Sequence, residues 1–186
     1  MNAVTYSNAL GATRDAPRFQ RELLEWIARY QSNFTHAVTF TFNERRVWNF
    51  IRASGQLSSP HDDRMIELLR KTMCRFRHRI DRALYGNTSK RHGERLLFVP
   101  VLEGLGIGQF PHYHAAIGVE GERSKQLHET VRITWSKLPF AGTQIKLVPY
   151  RDTGWLGYMT KQVMKLNEHV IDWASVSVPS RTLPTC

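Results

Sequence analysis

Residues 95–119 read RLLFVPVLEGLGIGQFPHYHAAIGV. Two apolar runs, Arg95–Leu102 and Pro111–Val119, flank a glycine-rich turn at Gly104–Gly108. Runs of this length, separated by turn formers, predict an antiparallel hairpin. A third strand is expected at Thr35–Phe42, which is rich in β-branched and aromatic residues, and a fourth at Gln144–Tyr150. Helical spacing of apolar residues predicts helices over Arg18–Tyr30, Ser58–Leu84, Ser124–Leu138 and Thr153–Leu166, with a short basic helix at 44–52. Tyr85–Gly93 reads as a loop. Without the first helix the order is βαββαβ and a final helix. That order predicts an α+β fold: an antiparallel sheet with helices packed on one face.

Composition narrows what such a fold is for. The 186 residues are 41% hydrophobic and 23% charged, enough apolar material for one core. No apolar run is long enough to cross a membrane, and the first residues lack a signal-peptide core. Cys74 and Cys186 lie far apart, so neither a disulfide framework nor a cysteine zinc site is expected. A reducing cytoplasm, in a bacterial host, is the expected compartment. Lys and Arg number 26 against 16 Asp and Glu, a formal charge of +10. Such a balance favours a polyanionic partner, most simply nucleic acid. The long helix carries Arg64, Arg70, Lys71, Arg75, Arg77, Arg79 and Arg82 off its apolar stripe. Of these, Arg75, Arg79 and Arg82, with Lys90 and Arg91 in the following loop, are candidate contacts to a DNA backbone.

Three segments carry chemistry. His112 and His114 alternate with Tyr113 in a strand, so both imidazoles share one face and form a half-site for a divalent metal. Glu103 ends the preceding strand, and the hairpin brings its carboxylate beside them. A His/His/carboxylate set leaves positions open for a phosphate oxygen and suits Mg²⁺ or Mn²⁺. In Tyr158-Met-Thr-Lys161-Gln162-Val-Met-Lys165 the apolar residues Leu156, Met159, Val163 and Leu166 share a helix face. Tyr158, Lys161, Gln162 and Lys165 lie on another. Each segment alone has a plain structural explanation: a chance pair of histidines, an exposed turn glutamate, a half-exposed tyrosine.

Their order is more specific. Val38-Thr-Phe-Thr-Phe42, then Pro111-His-Tyr-His114 with Glu103, then Tyr158-Met-Thr-Lys161 resembles the three-motif signature of HUH endonucleases. It is closest to the single-tyrosine rolling-circle replication initiators of plasmids and small single-stranded DNA viruses. The resemblance spans roughly residues 35–166 and lacks a following helicase domain. It implies a ferredoxin-like sheet and a domain over 17–169, between a flexible leader (1–16) and a tail (170–186). It implies a divalent metal on His112, His114 and Glu103, with Gln162 the alternative third ligand, because Tyr158 and Gln162 also match the YxxxQ pattern of related transposases. Tyr158 would be the nucleophile, Lys161 its helper, and Lys165 a further DNA contact. The implied partners are single-stranded or hairpin origin DNA and a host replicative helicase, with no membrane and no small-molecule cofactor.

The expected reaction is attack of Tyr158 on a scissile phosphate, giving a 5′-phosphotyrosine and a free 3′-OH. Rival expectations are a single-tyrosine transposase, a hydrolytic metallonuclease that bypasses Tyr158, and a non-catalytic RRM-like module. The last would stack bases on Phe40, Phe42 and Phe98.

Overall fold

The computed structural model describes residues 12–53, 63–105, 109–151 and 171–179. Four strands, β1 (His36–Phe42), β2 (Leu97–Glu103), β3 (His112–Gly118) and β4 (Ala141–Pro149), form one sheet in the order β2-β3-β1-β4. Every neighbouring pair is antiparallel. Five helices accompany them among the described residues: α1 (Ala12–Ala28), α2 (Glu44–Ala53), α3 (Asp63–Tyr85), α4 (Thr88–Arg91) and α5 (Arg123–Ser136). The protein is therefore α+β, with a sheet of ferredoxin-like order packed against helices. The one-turn α4 falls inside the expected loop, and α1 begins within the expected leader.

Period-two alternation divides the sheet. Val38, Phe40, Phe42, Phe98, Leu102, Tyr113, Ala115 and Ile117 point to one face and meet the buried stripes of α2, α3 and α5. The α3 stripe is Met65, Ile66, Leu69, Thr72, Met73, Phe76 and Ile80, close to the spacing read from sequence. Phe40 sits 4.7 Å from both Phe76 and Trp135, ring centre to ring centre, so this layer closes on aromatic edges. Phe40, Phe42 and Phe98 are buried there, which removes them as a surface for base stacking.

The opposite face has its own, smaller cover. Leu23, Ile27, Tyr30 and Phe34 pack with Val99, Val101, Ala116 and Ile171. Segment 171–179 runs along the outer edge of β2, with reciprocal backbone bonds between Phe98 and Ser177. Pro100 has no N–H to offer that edge, so the contact is two isolated bridges rather than a ladder. Beneath it, Tyr113 Oη donates to Asp172 Oδ2 at 3.1 Å, as does Ser175 Oγ at 2.8 Å. Burial pushes the Asp172 carboxyl up. With both faces and an edge covered, every residue of β2 is buried, which explains its unbroken apolar sequence. Among the described residues β4 has no such cover, and its alternation is plain: Ile145 and Leu147 pack inward while Gln144, Lys146 and Val148 are exposed.

A buried carboxylate holds α3 to the start of β2. Asp81 Oδ1 accepts from the Leu96 N–H at 3.0 Å, and Arg77 lies 3.5 Å from Oδ2. Burial dominates and pushes its carboxyl up to about 6, above the ordinary 3.8, despite these donors. A raised folded value means the native state holds the proton more tightly than the unfolded chain. Ionisation as pH rises through 6 therefore destabilises the fold. Asp81→Asn keeps the Leu96 bond and removes that cost. The stability of the variant relative to wild type should rise by roughly 1–2 kcal/mol between about pH 4.5 and 7.5. Urea melts across that range check it; a constant difference would place the Asp81 ionisation elsewhere.

Candidate metal centre

The hairpin register builds the site. Glu103, the last residue of β2, stands opposite His112, the first of β3. His114 stands opposite Thr39 of β1 and Val101 of β2. These residues point to the face away from α3 and α5, so the imidazoles project on the side the alternation predicts. His114 Nε2 lies 2.8 Å and His112 Nε2 3.8 Å from Glu103 Oε2. One ligand atom from each residue falls within a 4.8 Å cluster, and the group can hold a metal ion.

The atoms behind the ligands fit that role. The Phe110 carbonyl can only accept, so the 3.2 Å bond to His112 Nδ1 places the proton on Nδ1. The Nε2 lone pair then faces Glu103. His114 Nδ1 shares a 3.0 Å hydrogen bond with Thr39 Oγ1, which holds the orientation of that ring, the hydroxyl being able to donate or to accept. Ligating histidines characteristically use their second nitrogen like this, and the partner sets tautomer and orientation. The two rings stand nearly perpendicular, 84° apart at 5.0 Å, so their Nε2 atoms converge on the carboxylate. Glu103 is only 4% exposed. A carboxylate buried this far needs a cation or donors to offset its lost hydration, and a divalent ion between three ligands supplies one.

Two residues of this centre escaped the sequence reading. Thr39 lies within the aromatic-threonine strand, but its role depends on the β1–β3 register, which sequence does not show. Gly104 was read only as part of a flexible turn. Its φ of +86° is a left-handed conformation, and a Cβ there would sit 2.8 Å from the Phe110 carbonyl oxygen and 3.1 Å from His112 Nδ1. Only glycine lets the chain turn directly behind Glu103 with the His112 ring against it. A third neighbour is Lys146, which stands opposite Thr39 and is exposed among the described residues.

The other expected site residues fall into two sets. Tyr158, Lys161, Gln162 and Lys165 lie outside the described residues. Arg75, Arg79, Arg82, Lys90 and Arg91 are exposed on α3 and α4. The structure does not bring them to the metal centre: α3 packs against the opposite face of the sheet. Arg77 is spent on Asp81, and Arg70 is partly buried near Asp172. A cleft of about 140 Å³, lined by Tyr85, His92, Arg95, Glu120 and Arg123, lies at the far end of the sheet and does not include the metal centre.

Among the described residues no helix is long and apolar enough to cross a membrane. No family model matches the chain, no curated protein matches it, and no solved structure matches it.

Proposed function

We propose that the protein is a metal-dependent enzyme that nicks and rejoins single-stranded DNA, a replication initiator of the HUH type. The observation that carries this reading is the convergence of Glu103, His112 and His114 on one sheet face, each imidazole held from behind. The net charge of +10 supports a nucleic-acid substrate.

In this reading Glu103, His112 and His114 would hold Mg²⁺ or Mn²⁺, which would supply Lewis-acid polarisation of the scissile phosphodiester and offset charge on its oxygens. The phenol oxygen of Tyr158 attacks phosphorus and loses its proton. The bond from phosphorus to the 3′ oxygen breaks, and that oxygen takes up a proton to leave as a 3′-OH. The 5′-phosphate stays on the tyrosine. One phosphoester replaces another, so the 3′-OH can attack in reverse and rejoin the strand without ATP. Lys161 steadies the phosphate or favours the phenolate. The substrate is single-stranded or extruded from a hairpin, and a host helicase would extend the opening.

The test is incubation of the protein with labelled hairpin and single-stranded oligonucleotides and Mn²⁺. The expected result is an SDS-resistant protein–DNA adduct and a labelled fragment bearing a 3′-OH. Cleavage with no adduct would replace this reading with the hydrolytic one, and binding without cleavage would leave the non-catalytic module.

A further inference from the structure

The helical side of the sheet carries a second surface, at the same end as the metal centre. Helix α2 leaves β1 directly, with Asn43 Oδ1 accepting from the Arg46 N–H at 3.0 Å as an N-cap. Val47 and Ile51 are buried, which leaves Arg46 and Phe50, one turn apart, facing outward. Phe50 is 54% exposed, and its ring meets that of Phe140 edge-on at 5.3 Å. Arg46 Nη1 donates to the Pro139 carbonyl, and Arg79 Nη1 of α3 to the Lys137 carbonyl, both at 3.3 Å.

Two guanidinium groups from separate helices thus meet at the turn 137–140, where Lys137 is also exposed. Arg75 lies one turn before Arg79 on the same face of α3. Capping the end of α5 accounts for the two carbonyl bonds. It does not account for an exposed Phe50 ring resting on the half-buried Phe140, one turn from Arg46. Nor does it account for the lack of counter-charge: among the described residues Arg46, Arg75, Arg79 and Lys137 make no ion pair.

We propose that this surface binds single-stranded DNA, with bases stacked on Phe50 and Phe140 and phosphates on Arg46, Arg75, Arg79 and Lys137. Aromatic rings interleaved with cations suit single strands, because every unpaired base offers a π face and a duplex hides it. The position says which strand. His112 stands opposite Thr41, and the next residue, Phe42, stands opposite Ala141, directly after Phe140. Trp48 of α2 also meets Phe110, whose carbonyl holds His112. A strand leaving the metal centre over this end of the sheet arrives at the aromatic pair. That assignment of the strand rests on the nuclease reading; the binding surface itself does not.

The experiment uses a fluorescein-labelled dT oligomer of about a dozen nucleotides, in EDTA so that the metal centre is empty, with anisotropy read across a salt titration. Phe50→Ala should weaken binding about fivefold or more, and Phe50→Leu, which keeps an apolar contact to Phe140, should weaken it similarly. Phe50→Trp should restore it. Arg79→Gln should flatten the slope of log K against log salt by about 0.7. Unchanged affinity in both Phe50 variants would overturn the proposal. So would a duplex of the same length competing as well as the single strand. The two readings fail separately. Phe50-dependent binding without any covalent adduct would sink the nuclease and keep this surface, and adducts with Phe50-independent binding would do the reverse.

Discussion

Replacing His112 and His114 together by alanine should lower DNA cleavage by roughly a thousandfold or more, because the charge stabilisation supplied by a bound ion is worth several kcal/mol. Neither imidazole belongs to the aromatic core under α3 and α5, so the variant should fold and melt close to wild type. DNA affinity should also persist, since Lys and Arg contacts dominate it. Cleavage in the presence of EDTA should vanish in the same way and return with Mn²⁺. The third ligand is read from Mn²⁺ affinity. Glu103→Ala should lose more than Gln162→Ala, because a carboxylate adds charge that a hard cation prefers and its Oε2 already lies between the two Nε2 atoms. Thr39→Val removes the hydrogen bond behind His114 and should cost about ten- to a hundredfold in Mn²⁺ affinity. Wild-type cleavage by the double alanine variant would end the metal assignment. A greater loss in the Gln162 variant would move the protein towards the transposase branch.

What sequence could show of this site follows from what is local. Strand alternation needs only neighbours, so the shared face of His112 and His114 and the opposite sense of Tyr113 were legible. The hairpin was legible for the same reason, and it carried Glu103 to the histidines. Helical spacing likewise located the α3 stripe. The rest depends on contacts between distant segments. Thr39 becomes a positioning residue only once β1 pairs with β3, and Gly104 matters because Phe110 and His112 fold back against it. The cover over the second face comes from α1 and segment 171–179, at opposite ends of the chain. Charge was legible only as far as its sign. Of the seven basic residues on this helix, Arg77 serves Asp81 and Arg70 is partly buried, while the candidate contacts Arg75, Arg79 and Arg82 are exposed, on the side of the sheet away from the metal centre. A basic residue declares its charge in sequence but not its side of the sheet.

Tyr158→Phe should bind hairpin DNA like wild type, form no covalent adduct and fail to rejoin strands. The described tyrosines narrow the choice of nucleophile. Tyr113 is fully buried, donates to Asp172, and has its phenol pushed well above the ordinary range by burial, so it neither reaches DNA nor ionises readily. The Tyr85 phenol is pushed up to about 12 by burial, at the other end of the sheet beneath the Arg123 guanidinium. Tyr30 is buried under the second face. Tyr150 follows the end of β4 that pairs with His36, whereas His112 pairs with Thr41 at the opposite end of β1. Tyr6 and Tyr158 remain, both outside the described residues, and only Tyr158 follows the histidine pair in sequence with a lysine three residues on. The substitution removes a single oxygen, so stability should change by no more than about 0.5 kcal/mol if the ring is surface-exposed, and a lost activity would not trace to unfolding. Mass spectrometry of the wild-type adduct should place the nucleotide on the peptide containing Tyr158. An adduct on another residue would reassign the nucleophile. Full nicking by Tyr158→Phe with EDTA sensitivity intact would leave the metal centre in place and make water, not tyrosine, the attacking group.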